Sequence, residues 1–313
     1  MATYLGLDTS NYTTSVALYD GENNCIEQCK KLLPVKNGSL GLKQSDAVFH
    51  HVKQLPELVR ELFGRCPSQV TAVGVSTRPR PVEGSYMPCF LVGQAVAQSV
   101  AAAEGISLYT FSHQEGHVAA ALYSAGRLDL LEQEFIAFHL SGGTTECLHC
   151  DGRSGELVIR LFSATSDLNA GQAVDRCGVA LGLAFPAGPQ LEKLALCSQA
   201  VYKIRPSFVG KNPSLSGVEN RCNRMIGEGA PPEDVARYVL DYIGAALEKM
   251  TRDALEELGN LPLVYAGGVM SNTIIRRRME ETFDCHFAQP QFSSDNAAGI
   301  ALLAARRDGA RLG

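Results

Sequence analysis

Leu5-Gly-Leu-Asp-Thr-Ser-Asn-Tyr-Thr-Thr-Ser-Val-Ala-Leu-Tyr-Asp-Gly21 alternates apolar and polar residues, breaks at a polar turn, alternates again and closes on Asp-Gly. That is the pattern of a β-hairpin. Ile136-Ala-Phe-His-Leu-Ser-Gly-Gly-Thr-Thr-Glu-Cys-Leu-His-Cys-Asp-Gly152 has the same layout. Ser10 matches Ser141, Thr13 matches Thr144, Thr14 matches Thr145, Asp20 matches Asp151 and Gly21 matches Gly152, each pair 131 residues apart. One or two such identities arise by chance. Five at a single offset, with matching hydropathy, indicate duplicated halves.

Helix-like and strand-like segments follow each hairpin. Thr71-Ala-Val-Gly-Val-Ser-Thr77 reads as a buried strand and residues 91–104 as an alanine-rich helix. Residues 231–258 place Val235, Tyr238, Val239, Tyr242, Ile243, Ala246 and Met250 on one helical face. Acids fill the first turn of that helix, and Gly259-Asn260 can end it. Leu261-Pro-Leu-Val-Tyr-Ala266 then reads as a strand running into Gly267-Gly268. The predicted class is α/β. Two duplicated, hairpin-first halves resemble the actin-like ATPase and sugar-kinase superfamily, the ASKHA or ribonuclease H-like fold. The expected division is 1–110 and 111–313, with the 113–117 segment at the junction and the last helix packing back on the first half.

A chain of 313 residues accommodates two such halves, and 45% hydrophobic with 19% charged residues is an ordinary globular balance. The net charge of −5 means that the surface as a whole does not attract nucleic acid. An RNA substrate would need a local basic patch or a partner protein. Candidate patches are Arg276-Arg-Arg278, Arg306-Arg307, Arg78 with Arg80, and Lys203 with Arg205 and Lys211, although such runs are usually solvated helix faces. No run of 18 apolar residues occurs and the chain starts directly in a strand pattern, so neither a membrane span nor a signal peptide is expected. Ten cysteines scattered over this length read as reduced, cytoplasmic thiols. Cys25 with Cys29 and Cys147 with Cys150 are the close pairs; the latter, Cys147-Leu-His-Cys150, has no second pair at finger-like spacing and reads as half-buried strand cysteines.

Three glycine turns follow or precede apolar strand-like segments: Ser141-Gly142-Gly143-Thr144, Pro186-Ala187-Gly188-Pro189 and Gly267-Gly268-Val269-Met270-Ser271-Asn272. Without Cβ atoms, such turns bring backbone N–H groups close to phosphate oxygens, and a helix N-terminus adds a favourable dipole. Together they suggest a nucleotide or acyl-phosphate site, with Gly143 and Gly268 read as positions where a side chain would occupy space the ligand needs and strain a turn at φ > 0. A P-loop is excluded by motif.

Phe111-Ser-His-Gln-Glu-Gly-His-Val-Ala-Ala-Ala121 carries the sharpest chemistry. In a helix, His113 and His117 stand four apart on one face, where both imidazoles can reach one metal ion. The same spacing also suits a helix turn with two partly exposed histidines. Glu115, about 200° around the helix from His113, points away from such an ion. Gly116 inside a helix suggests a close neighbour. Asp295 is a candidate third ligand and equally a helix N-cap.

These pieces together resemble the glycoprotease-like (TsaD/Gcp/YgjD/Kae) family. The opening strand and turn is similar to Leu5-Gly-Leu-Asp-Thr-Ser10, the H-x-x-x-H helix to His113-Gln-Glu-Gly-His117, and the S-G-G-x-T turn to Ser141-Gly-Gly-Thr-Thr145. The G-E-A-x-D-K…L-G-L-x-x-P-G-G-P-x-x-E segment resembles Gly171-Gln-Ala-Val-Asp-Arg176 through Leu181-Gly-Leu-Ala-Phe-Pro-Ala-Gly-Pro-Gln-Leu-Glu192. Gly267-Gly-Val-Met-Ser-Asn272 is similar to G-G-V-x-x-N, and Ser294-Asp-Asn-Ala-Ala298 to T-D-N-A.

The resemblance implies an actin-like fold and one divalent metal ion (iron, zinc or magnesium) at the positions of His113, His117 and Asp295. It implies that His139, Leu140, Ser141, Gly142, Gly143, Asp175, Gly188, Glu192 and Asn272 line a site for ATP, ADP or threonylcarbamoyl-AMP. The implied reaction transfers threonylcarbamoyl from the adenylate to the exocyclic amine of the adenosine beside the tRNA anticodon. The implied partners are tRNA and proteins of the threonylcarbamoylation machinery, in a homo- or heterodimer, with no membrane.

Three departures stand out. Asp8-Thr-Ser-Asn-Tyr-Thr-Thr14 replaces E-T-S-C-D-E-T, leaving Asp8 as the candidate catalytic acid of that turn. Arg78-Pro-Arg-Pro-Val82 replaces G-P-G-L, and Gln172 replaces the Glu of G-E-A. The rival expectations are a non-catalytic partner paralogue and the peptidase activity for which the family was first named.

Overall fold

The first hairpin pairs β1 (Thr3–Ser10) antiparallel with β2 (Thr13–Asp20), in register from Thr3 opposite Asp20 to Ser10 opposite Thr13. In this computed structural model, which describes residues 2–10, 12–34, 42–292 and 297–312, the chain divides into two units. The first comprises Met1–Gln133, Asp151–Ile159 and Gln291–Gly313; the second comprises Glu134–Cys150 and Arg160–Pro290.

After the hairpin come β3 (Cys25–Leu32), α1 (Gln44–Arg65), β4 (Val70–Arg78), α2 (Phe90–Glu104), β5 (Ser107–Ser112) and α3 (His113–Ser124). Their sheet has the order β3-β2-β1-β4-β5, with β4 and β5 running parallel to β1. All eight residues of β1 are buried. A central strand covered on both faces is mostly apolar or small, and the charged exception here, Asp8, is paired. Leu5 and Leu7 join one core with Val73, Val75, Leu55, Leu58 and Leu62.

The second unit begins with β6 (Glu134–Leu140), β7 (Thr145–Asp151) and β8 (Val158–Ala164). It continues through α4 (Ala170–Ala180), α5 (Gly188–Ala195), β9 (Ser207–Val209), β10 (Asn212–Ser214), α6 (Ser216–Gly227) and α7 (Pro232–Leu258). β11 (Leu263–Ala266), α8 (Thr273–Thr282) and β12 (Cys285–Phe287) complete it. Its sheet reads β8-β7-β6-β11-β12, the same order as the first sheet, and β11 lies parallel to both β6 and β12. The α7 face read from the sequence is buried at Val235, Val239, Tyr242, Ile243, Ala246 and Met250, while Gly259 at φ +94° ends the helix.

The last helix, α9 (Ala298–Arg307), belongs to the first unit. The first unit extends to Gln133 rather than to residue 110, because β5 runs straight into α3 and α3 packs on α9. Residues 151–159 also join it: Gly152 N–H donates to the Gln133 carbonyl, and Arg306 donates to the Gly152 carbonyl. Cys147 and Cys150 are both buried in β7, and burial pushes both thiols up. Three residues apart on a strand, they project to opposite faces and cannot share a metal. Among the described residues, no helix is long and apolar enough to cross a membrane.

Candidate functional site

In the first unit the chemistry gathers where β1 ends and α3 begins. Ser112 caps α3: its hydroxyl accepts from Glu115 N–H at 3.2 Å, and the Glu115 carboxylate accepts from Ser112 N–H at 2.6 Å. This capping box fixes the first turn and uses Glu115 away from the histidines. His117 Nε2 then faces His113 Nε2 at 2.9 Å. Asp8 Oδ2 lies 2.6 Å from His113 Nδ1, and Asp8 Oδ1 accepts from Ser10 N–H at 2.8 Å.

A carboxylate on Nδ1 draws that ring proton, which leaves Nε2 as a lone-pair donor; this is the arrangement that orients metal-binding histidines. One ion at the usual Zn–N distance of about 2.0–2.1 Å can bridge two nitrogens separated by that gap. The residues therefore fit a divalent cation. Asp8, read as the candidate catalytic residue, is the group that holds His113. Asp295 and Asn11 lie outside the described residues, and no group of three or more His, Cys, Asp or Glu residues forms a metal cluster among those described.

The neighbour foreshadowed by Gly116 is α9. A Cβ on Gly116 would meet Ile300 Cδ1 at 2.8 Å, and one on Gly299 would lie 1.8 Å from the Gly116 carbonyl oxygen.

In the second unit, the Ser141-Gly142-Gly143 turn follows β6 and the Gly267-Gly268 turn follows β11, its parallel neighbour. Ser141 Oγ accepts from Thr144 N–H at 3.1 Å and from Gly143 N–H at 3.3 Å. Gly171 N–H donates to the Ser141 carbonyl, and a Cβ on Gly171 would sit 2.6 Å from Gly142 N. Thr145 Oγ1 accepts from Ala170 N–H at 2.8 Å, so the N-terminus of α4 is fastened to the turn.

Asp175, expected to hold ligand, accepts from Ala187 N–H at 2.8 Å and so sets the entry to α5, where Gly188 is the first residue. Glu192 accepts from Thr273 N–H at 2.7 Å. Asn272 caps α8, accepting from Ile274 and Ile275 N–H at 3.1 Å each. The Leu140 side chain is in the core, so only its backbone borders the turn. His139 pairs with Ala266 in the parallel ladder. The nine expected residues lie on β6, α4, α5 and the turns after β6 and β11, linked by these hydrogen bonds. The positive φ falls on Gly267, at +98°, rather than on Gly143 or Gly268, while open space at the Cβ positions of those two leaves room beside the turns.

Sequence reading missed the buried polar cluster behind β2. Thr14 donates to Gln54 Oε1 at 2.8 Å and lies 2.8 Å from His51 Nδ1. Burial drives the His51 pKa down to about 4, against the opposing influence of the Ser10 backbone and Asp8. Its one sequence signal is the repeat itself: Thr14 and Thr145 correspond, and both anchor their hairpins through the hydroxyl.

With this geometry in view, comparison with solved structures gives the class. The chain superposes on full-length HypF in its phosphate- and nucleotide-bound form with a TM-score of 0.60 and 13% identity, covering 98% of this chain and 46% of that longer one. It superposes on component A of (R)-2-hydroxyglutaryl-CoA dehydratase from Acidaminococcus fermentans with a TM-score of 0.57 and 15% identity, covering 99% and 100%. The fold is that of the actin-like ATPase superfamily.

The family model described as TsaD, tRNA N6-adenosine threonylcarbamoyltransferase, matches residues 37–302. A protein of that name from Thermus thermophilus is 31% identical, covering 97% of this chain and 92% of its own length. Its counterpart from a second strain of the same species is also 31% identical. The chain belongs to the tRNA N6-adenosine threonylcarbamoyltransferase family.

Proposed function

We propose that this chain transfers the threonylcarbamoyl group of threonylcarbamoyl-AMP to the exocyclic amine of the adenosine beside the tRNA anticodon. Family membership supplies the reaction class. The observation that carries it to this chain is the Asp8–His113–His117 array, in which Asp8 turns one Nε2 toward the other. His113 and His117 would hold a divalent cation, iron or zinc, with Asp295 as third ligand. When bound, the cation supplies positive charge against a carbonyl or phosphate oxygen.

In the reaction the amine nitrogen bonds to the carbamoyl carbon, the bond from that carbon to the AMP phosphate oxygen breaks, and the amine gives up a proton. The chain's own contribution is positioning. The Gly142 N–H of the turn after β6 and the N–H groups at the start of α5 would hold the phosphate, while Asp175 fixes the entry to α5 and Glu192 and Asn272 fix the start of α8. Glu115 is spent on its capping box, which argues against a peptidase that needs a carboxylate to activate water. The acidic net charge favours recruitment of tRNA with protein partners in the cytoplasm.

The test is threonylcarbamoyl transfer to unmodified tRNA, with the adenylate-forming enzyme and candidate partners supplied. The wild type should modify the tRNA and His117→Ala should fail while retaining its fold. A wild type inactive with every partner combination, yet binding metal and nucleotide, would reassign it as a non-catalytic paralogue.

A further inference from the structure

A cavity of about 380 Å³ in the first unit is distinct from the Asp8–His113–His117 array and from the glycine turns. It gathers three arginines from parts of the sequence more than 200 residues apart: Arg78 at the end of β4, and Arg306 and Arg307 at the end of α9. Arg78 stands where the family pattern carries glycine, so this charge is a feature of the chain's own sequence.

Two carboxylates, Glu115 and Glu156, also line the cavity, and each already has a partner. Glu156 pairs with Arg307, and Glu115 accepts from Ser112 N–H. Arg306 is held by Glu132, 3.0 Å from its Nε, and donates through Nη2 to the Gly152 carbonyl. Its side chain is only 7% exposed, and its Nη1 is buried with no hydrogen-bond partner among the described residues. No described carboxylate pairs with Arg78. Arg78, partly exposed at the cavity, is the guanidinium for which a charged oxyanion is the best partner.

We propose that this cavity binds a phosphate ester. Arginine guanidinium groups on opposing elements match the several oxygens of a phosphate. The volume is that of a small-molecule site rather than of a bare ion, leaving room for the organic group that carries the phosphate. Phe111 and Leu303 give that group an apolar wall. The ester is either a free sugar phosphate or one phosphodiester of an RNA strand; the chemistry recognised is the same. This inference does not depend on the transferase reading.

The experiment is calorimetric titration of the full chain with ribose 5-phosphate, in the presence of saturating ADP to occupy the turns of the second unit. The wild type should bind. Arg78→Gln and Arg307→Gln should each weaken binding at least about tenfold, as expected for loss of a charge-assisted hydrogen bond, without altering ADP affinity. Arg306→Gln is avoided, because that side chain also ties Glu132 to Gly152. A second titration asks whether an eight-nucleotide single-stranded RNA displaces ribose 5-phosphate. Displacement that Arg78→Gln abolishes identifies a phosphodiester as the source; absence of displacement, with the variant effects intact, identifies a free ester. Absence of wild-type binding, or unchanged affinity in both variants, overturns the proposal.

Discussion

Asp8 divides its two carboxylate oxygens between a backbone N–H at Ser10 and the imidazole of His113, and it does so at 1% exposure. An Asn at that position can keep the Ser10 bond through its oxygen, but then offers an N–H to His113 Nδ1. The ring proton must move to Nε2, the atom that faces His117. Asp8→Asn should therefore lower zinc affinity by about 10–100-fold while the far-ultraviolet circular dichroism stays unchanged. Unaltered affinity would mean that Asp8 does not set the tautomer. His51 gives a second residue-level expectation. It is buried and titrates at about 4 in the fold against 6.5 when unperturbed. Between those values the unfolded chain binds the extra proton, so stability is full above pH 6.5 and falls as the pH drops toward 4. The loss should reach roughly 2 kcal/mol by pH 5. Urea unfolding at pH 7.5 and pH 5 should show this slope in the wild type and a flatter one in His51→Gln; equal slopes would remove His51 from the account.

Glycines let several elements of the first unit approach closely. A Cβ on Gly6 of β1 would meet the Ala297 carbonyl at 2.5 Å, and one on Gly74 of β4 would meet the Ile300 carbonyl at 2.7 Å. Both strand glycines let α9 lie directly on the sheet backbone. Across the helix pair the two glycines are unequal. Gly116 faces the flexible end of Ile300, whereas Gly299 faces the Gly116 carbonyl itself. Gly299→Ala should cost roughly 3 kcal/mol or more, because backbone must move. Gly116→Ala should cost about 1 kcal/mol or less, since the gain in helix propensity offsets a small shift of Ile300. Thermal melts of the two variants decide this, and equal losses would contradict it. The same comparison applies to the turn after β11. Gly267→Ala meets both a left-handed φ and the Leu140 carbonyl at 2.2 Å, so it should destabilise the fold. Gly268→Val has open space and should fold normally, yet lose adenine-nucleotide binding because the side chain fills room the phosphate needs. Calorimetry with ATP tests it: unchanged affinity in Gly268→Val would place the nucleotide elsewhere.

At the scale of the whole chain, what could be read beforehand was local or periodic. The 131-residue offset exposed the two hairpins, and the shared strand order of the two sheets extends that correspondence beyond the aligned residues. The histidine spacing of α3 is local as well. The return of the last helix to the first half is expected from the resemblance to duplicated actin-like halves, but the Asp8–His113 contact spans 105 residues and no spacing rule reaches it. Gly116 signalled a close neighbour without saying which. The same non-locality yields a prediction about cooperativity. The first unit is assembled from three segments, the last of which brings α9, whose residues 298–305 are all buried. Ile300, Leu302 and Leu303 alone contribute roughly 5–9 kcal/mol by burial, comparable with the whole stability of a typical domain. The hydrophobic core of the second unit, by contrast, draws only on residues between 136 and 287. A chain ending at Pro290 should therefore lose the first unit and keep the second. Hydrogen exchange should show protection collapsing across β1, β2, β4 and α3 while β6, β11 and α7 remain protected. Zinc binding should vanish and ADP binding should persist, since the histidine pair belongs to the unit that melts and the glycine turns to the one that does not. Loss of protection throughout would instead show that the two units fold as one.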